Sequence, residues 1–300
     1  MKLISDFDGV WTKPHGEAAA VRGHMVATVA ALTKVDEARA DAMIAAIDAA
    51  LDDRPEDYGW TIEGQVSAFA DEDPFVRNNA RAHFVDRLLD QVGRIRDRAM
   101  RHDLLTLREA AIAADGSLPD FANRVFTEAT LRHREEAKPR PTAEDCAAVQ
   151  AFLDAGHDVV IVSNSSTAKI ADFLSRSPLA YTEGGLDRQE AGKVRIRGGA
   201  MKFMIADDPR DTIELGGRTV RCDRPRYLEI LREEQGDAVI GDVVSLDHAL
   251  PWKLNRDGEL DMRLLLVTRD YVPGWSRGLI ESAGLIGVEG LTGLGAALGV

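Results

Sequence analysis

Short apolar runs that stop at polar clusters punctuate this chain. Leu3-Ile4 leads into Asp6-Phe7-Asp8-Gly9, the pattern of a buried strand ending at a turn. From Gly16 to Lys138 the character changes, and alanine, leucine, arginine and glutamate dominate Ala38–Leu51, Asp73–Arg98 and Arg101–Ala114. Phe84, Leu88, Val92 and Ile95 recur at helical spacing, so this block is predicted to be helical, with little β-type alternation. Lys138-Pro139-Arg140-Pro141-Thr142 ends it, because two prolines favour an extended link. A helix is expected from Thr142 through Leu153 to Gly156, then a covered strand at Val159-Val160-Ile161-Val162. Ser163-Asn164-Ser165-Ser166-Thr167 follows and leads into a helix over Ala168–Leu174.

Residues 177–223 read as strands and turns, with candidates at Lys193–Ile196, Lys202–Ile205, Thr212–Leu215 and Arg218–Cys222. Gly216-Gly217 between the last two is a hairpin signal. A helix after Pro225, a strand Ala238-Val239-Ile240 ending in Gly241-Asp242, and a strand Leu264–Val267 ending at Thr268 complete the pattern. Strands alternating with helices imply an α/β fold: a doubly wound parallel sheet, with an α-helical domain inserted after the first strand. The expected division is 1–15 with 139–300 for the sheet domain, and 16–138 for the helical insertion. Ligands of such sheets sit beyond the carboxyl ends of the strands, where Asp6, Asp8, Ser163 and Asp242 fall.

The chain has 300 residues and a formal net charge of −13, which opposes nucleic-acid binding through general attraction to phosphates. A small phosphorylated ligand stays compatible, because one bound cation can reverse the field inside a cleft. Cys146 and Cys222 match no metal-ligand spacing and are expected to be reduced thiols. The amino-terminal segment reaches Asp6 before any apolar run can form, and the tail Gly284–Val300 is broken by Glu289 and glycines. No signal peptide, membrane span or membrane partner is expected, and the expected compartment is the cytoplasm.

Two carboxylates at alternate positions just past a strand end can share one space, where their repulsion would raise a pKa unless a cation relieves it. Asp242 and Asp247 supply carboxylates at another strand end, and hard oxygen ligands suit Mg²⁺. A metal tempers a phosphoryl group's charge so that a carboxylate can attack it. Ser163 offers a hydroxyl, and the amides of Asn164 and Ser165 offer anion-binding donors at a helix start.

These residues together resemble the haloacid dehalogenase superfamily. Asp6-Phe7-Asp8-Gly9-Val10-Trp11-Thr12 resembles its first motif, with Trp11 in place of the usual leucine. Val159–Ser163 is similar to the second, an apolar strand ending in serine or threonine. Gly241-Asp242 with Asp247 is similar to the fourth. Arg224-Pro225 fits the third, a basic residue opening the helix before that strand, with Lys193 and Lys202 as rivals. The resemblance implies that Asp6 is a phosphoryl-accepting nucleophile and Asp8 the acid and base. It implies that Ser163 and Asn164 bind the phosphoryl oxygens and that Arg224 neutralises charge. It assigns Mg²⁺ to Asp6, Asp242, Asp247 and the backbone carbonyl of Asp8. An aspartate at position 8 favours phosphatase chemistry over dehalogenase or phosphonatase chemistry.

The resemblance also implies that the helical insertion is a cap that closes over the site and selects a small phosphorylated metabolite. In it, Arg22, His24, His133 and Arg134 lie near the hinges, although Arg134 also fits a solvated run with Glu135-Glu136. Arg77, Asn78, Asn79, Arg81 and His83 fit residues that face the site and fit a polar outer helix face equally well. A phosphomutase of the same fold and a non-catalytic phospho-ligand scaffold are the alternatives.

Overall fold

A computed structural model describes every residue except Val92, Asp208 and Pro209, with Gln91 described by its backbone alone. The chain divides into two compact units, Met1–Lys13 with Pro139–Val300, and Pro14–Lys138.

After strand β1 (Lys2–Ser5), the chain enters the second unit through α1 (His15–Thr33) and α2 (Glu37–Asp53). Next come β2 (Gly59–Ile62), β3 (Gln65–Phe69), α3 (Pro74–Asp86), α4 (Arg98–Asp115) and α5 (Leu118–Ala137). Side chains start most of these helices: Asp36, Asp73, Asp97 and Ser117 each accept from an otherwise unpaired first-turn amide. Their apolar faces meet in a core that includes Met43, Ile44, Tyr58, Phe84, Leu104 and Phe121.

Three expectations for this unit need correction. The unit is not purely helical, because β2 and β3 pair antiparallel around Glu63 and Gly64, both at positive φ. The single helical face expected through Phe84, Leu88, Val92 and Ile95 is also interrupted, because α3 ends at Asp86 and a new helix starts at the Asp97 cap. Phe84, Leu88 and Ile95 are buried as expected, while Val92 lies outside the described residues. The face carrying Arg77 and Arg81 is not a solvated one. Both guanidiniums bind the Asp48 carboxylate, and Asn78 and Arg81 are buried.

The first unit resumes with α6 (Ala143–Asp154), whose Thr142 cap accepts from Asp145, then β4 (Asp158–Val162) and α7 (Thr167–Leu174). Strands β5 (Tyr181–Glu183) and β6 (Val194–Arg197) precede the hairpin β7 (Thr212–Leu215) and β8 (Arg218–Arg221). Gly216 and Gly217 turn that hairpin, both with positive φ. Then follow α8 (Pro225–Glu234), β9 (Ala238–Gly241), a π turn over Val244–His248 and α9 (Ala249–Arg256). The chain closes with β10 (Arg263–Val267), α10 (Gly274–Arg277), α11 (Leu279–Ser282), β11 (Ile286–Val288) and α12 (Leu294–Leu298).

Seven strands form one sheet in the order β11-β10-β9-β1-β4-β6-β5, and every pairing is parallel. The fold is the doubly wound α/β architecture. The continuous apolar runs of β4, β9 and β10 are buried along their length, as strands covered on both faces require. At one side of the sheet Arg195 of β6 is fully buried, and its guanidinium pairs with the equally buried Glu234 at the end of α8. The expected strand Lys202–Ile205 does not form. Its backbone is held by the loop after β4, as described below. Cys146 and Cys222 are free and buried, and burial pushes the Cys222 thiol up to about 12. No helix among the described residues is long and apolar enough to cross a membrane.

Leu265 in β10 is wholly buried against the other apolar side chains of the sheet. Leu265→Ala should destabilise this unit by about 2–5 kcal/mol, the cost of lost transfer energy plus a cavity. Equilibrium denaturation should show a lower midpoint with unchanged slope.

Candidate active site

The central strand β1 lies between β4 and β9, so the chain's windings to either side of the sheet part at its carboxyl end. The residues that follow the three strands are Asp6, Ser163 and Asp242. Asp6 stays in register because its amide donates to the Ile240 carbonyl at 2.9 Å. Ser5 braces it from behind: its hydroxyl donates to the Asp6 carbonyl and accepts from the indole of Trp11. The unusual tryptophan therefore takes part in holding the loop.

Asp6, Asp242 and Asp247 each offer a carboxylate oxygen, and these oxygens lie within 4.8 Å of one another. Glycines make the approach feasible. A Cβ on Gly9, which has φ +78°, would stand 2.1 Å from Asp242 Oδ2, and one on Gly241 would stand 2.4 Å from Asp247 Oδ2. Asp247 reaches back toward the strand from the π turn, and its Oδ2 accepts from the Val243 amide at 3.1 Å. Tyr227 donates to the Asp247 carbonyl, and His248 Nε2 lies 3.2 Å from the Gly241 carbonyl. Three converging hard-oxygen donors in a cradle kept open by glycines fit a metal ion.

The cation that meets these carboxylates is Lys202. Its Nζ lies 2.8 Å from Asp6 Oδ1 and 2.7 Å from Asp247 Oδ1, nearly sealed from solvent. This corrects the preference for Arg224 at that place. Arg224 sits at the start of α8, and its Nη1 donates to the backbone carbonyl of Lys202, behind the ammonium. Lys193 pairs with Glu190 on a part-exposed turn. An Arg-Pro pair at a helix start was the stronger sequence signal, but the lysine is brought in by tertiary hydrogen bonds.

Those bonds run between two loops. Gly199 and Ala200 donate their amides to the carbonyls of Ser165 and Ser163, and Lys202 donates its amide to Asn164 Oδ1 at 2.6 Å. The Asn164 side chain is thus engaged with the lysine loop, while Ser163 Oγ accepts from the Ser165 amide. Gly198 has no room for a Cβ, which would fall 2.2 Å from the Thr167 nitrogen. Met201, just before the lysine, adopts φ +50°.

Asp8 points elsewhere. Its carboxylate accepts from Ser165 Oγ at 2.5 Å and from Lys169 Nζ at 2.9 Å, and it lies outside the three-carboxylate group. Lys169 did not stand out in the sequence. The readable sign was its place in the first turn of α7, just after the Ser166 cap. Two further residues were missed, Arg269 and Tyr271, both just past β10.

Burial pushes the Asp6 carboxyl up to about 7; Lys202 opposes the rise, and Asp247 and Asp8 add to it. Burial alone would lower the Lys202 ammonium, but Asp247 and Asp6 outweigh it and hold its pKa above the ordinary lysine value. The site therefore keeps a fixed positive charge beside a carboxylate that gains from any further cation.

No protein-family model matches the chain, and none of the curated proteins does. Among solved structures, the chain is similar to a 2-haloacid dehalogenase from Pseudomonas syringae pv. Tomato DC3000. The two are 15% identical with a TM-score of 0.37, over 99% of this chain and 97% of the other.

Asp6 has its folded pKa raised from 3.8 to about 7, so its stabilising contribution is complete below the lower value and is lost as pH rises through the upper one. A bound divalent cation must displace that proton. Affinity for a divalent cation should therefore tighten by about tenfold per pH unit below 7 and level off above it, as read by calorimetric titration. Lys202→Met should destabilise the metal-free protein by about 3–5 kcal/mol, since the buried Asp247 and the half-buried Asp6 lose their partner. Its thermal unfolding measured with and without Mg²⁺ checks this, and a divalent cation should recover part of the loss.

Proposed function

We propose that this protein is a hydrolase of the haloacid dehalogenase type that removes a phosphoryl group from a small phosphomonoester with Mg²⁺. The observation that carries the reading is the meeting of Asp6, Asp242 and Asp247 at the central strand's carboxyl end, with Lys202 on two of them. Mg²⁺ held by the three aspartates, with the Asp8 backbone carbonyl as the further ligand expected from the sequence, would supply charge neutralisation for the phosphoryl oxygens.

The chain's own residues would act as follows. An Asp6 carboxylate oxygen forms a bond to phosphorus as the bond to the ester oxygen breaks. Lys202 fixes that carboxylate's rotation and offsets negative charge in the transition state. Asp8, held by Ser165 and Lys169 and protonated from solvent before attack, gives that proton to the departing alcohol. It then takes a proton from the water that attacks the Asp6 acyl phosphate, which releases inorganic phosphate and restores both carboxyls. Ser163, at the end of β4, donates its hydroxyl to a phosphoryl oxygen. The pairing of Asp8 with a serine and a lysine, partners that Asp6 does not share, supports separate duties for positions 6 and 8.

Asp6→Asn should lower phosphatase turnover by about a thousandfold or more while the fold persists, because an amide cannot serve as the nucleophile. Release of phosphate from a panel of sugar phosphates, nucleotides and phosphoserine is the assay. Beryllofluoride with Mg²⁺ should inhibit the wild type as a mimic of the acyl phosphate. Full activity in Asp6→Asn excludes this reading, and capture of the phosphoryl group by a sugar phosphate faster than by water makes the protein a mutase instead.

A further inference from the structure

The segment from Thr268 to Pro273, between β10 and α10, reaches two parts of the site at once. Tyr271 donates its hydroxyl to Asp242 Oδ2 at 2.5 Å. Two residues earlier, Arg269 spans three backbone carbonyls: Nε to Gly9 at 3.1 Å, Nη2 to Val10 at 3.4 Å and Nη1 to Glu289 at 3.0 Å. The segment is itself braced. Arg277 Nη2 donates to the carbonyls of Arg269 and Asp270, and the Val272 amide closes a turn on Arg269.

Asp242 Oδ2 is also the atom that a Cβ on Gly9 would strike. The same carboxylate oxygen is thus packed close to the Gly9 backbone and hydrogen-bonded by the Tyr271 hydroxyl. Arg269 fixes the Gly9 wall, and Tyr271 supplies the hydrogen bond. Free rotation of a carboxylate costs a metal site affinity, because the ligand must be ordered when the ion binds.

We infer that Tyr271, carried on the arginine-anchored segment, is the positioning residue that presets Asp242 for a divalent cation. This inference rests on the metal-site reading above and adds a residue outside the sequence motifs to it. The hydroxyl acts through Asp242, setting the rotation of a ligand, so its loss should show first in metal affinity.

The test measures Mn²⁺ binding by electron paramagnetic resonance, without any substrate, on wild type, Asp242→Asn and Tyr271→Phe. Circular dichroism melting confirms that each variant is folded. The expected result is that wild type binds, Asp242→Asn does not, and Tyr271→Phe binds with a dissociation constant about tenfold higher, as for other partners of metal ligands. Saturating Mn²⁺ should restore the occupancy of Tyr271→Phe. A folded Tyr271→Phe with wild-type affinity overturns the positioning role and leaves the metal reading intact. Wild type without Mn²⁺ affinity overturns the metal reading, and this inference falls with it. If Tyr271→Phe is unfolded, Arg269→Gln takes its place, because freeing the Gly9 wall should weaken Mn²⁺ in the same direction. An unchanged affinity in that variant would likewise overturn the role.

Discussion

One buried ammonium governs the chemistry available to this chain. Two carboxylates forced together in a low-dielectric site repel each other, and a cation with little access to water is what allows both to remain there. Lys202 does this for Asp6 and Asp247. Its own burial would be unfavourable without them, so the three groups form a unit whose members cannot be changed one at a time. The fixed lysine charge leaves the third carboxylate, Asp242, as the one anchored by a hydroxyl instead.

Backbone geometry turns this charge pattern into a usable site. Parallel strands deliver side chains to one edge, but the final approach depends on atoms that are missing. Gly9 and Gly241 let two carboxylates lie directly against main chain, and Gly198 lets the lysine loop lie against the start of α7. The π turn after β9 does the rest, since its wider ring swings Asp247 back over the strand it has just left. Gly9 at positive φ and the π turn are local departures from regular structure, and each of these features sits within a few residues of a charged side chain.

Much of this was readable in advance, and the parts that were not have physical reasons. The strand ends bearing Asp6, Ser163 and Asp242 were legible because a buried parallel strand writes itself as an unbroken apolar run with an abrupt polar stop. The doubly wound sheet followed from alternation alone. The edge strands β5 and β11 were too short to leave a pattern. The β2–β3 hairpin was hidden in an otherwise helical composition, although Gly64 between two β-rich stretches was the available sign. Lys202 was ranked below Arg224 because sequence shows which residue opens a helix but not which loop is drawn inward. Amides of Gly199, Ala200 and Lys202 finding partners in 163–165 decided that, and such pairing has no signature along the chain. Tyr271 likewise acquires its partner across the fold with no local sign, whereas Lys169 shows only its place in the first turn of α7.

The hydrogen bond between Lys202 and Asp6 joins positions 196 apart in the chain. Closing so long a loop is entropically unfavourable until the intervening strands have found their places. The arrangement of the three aspartates is thus carried by contacts between distant segments, and no short stretch of the chain holds it alone.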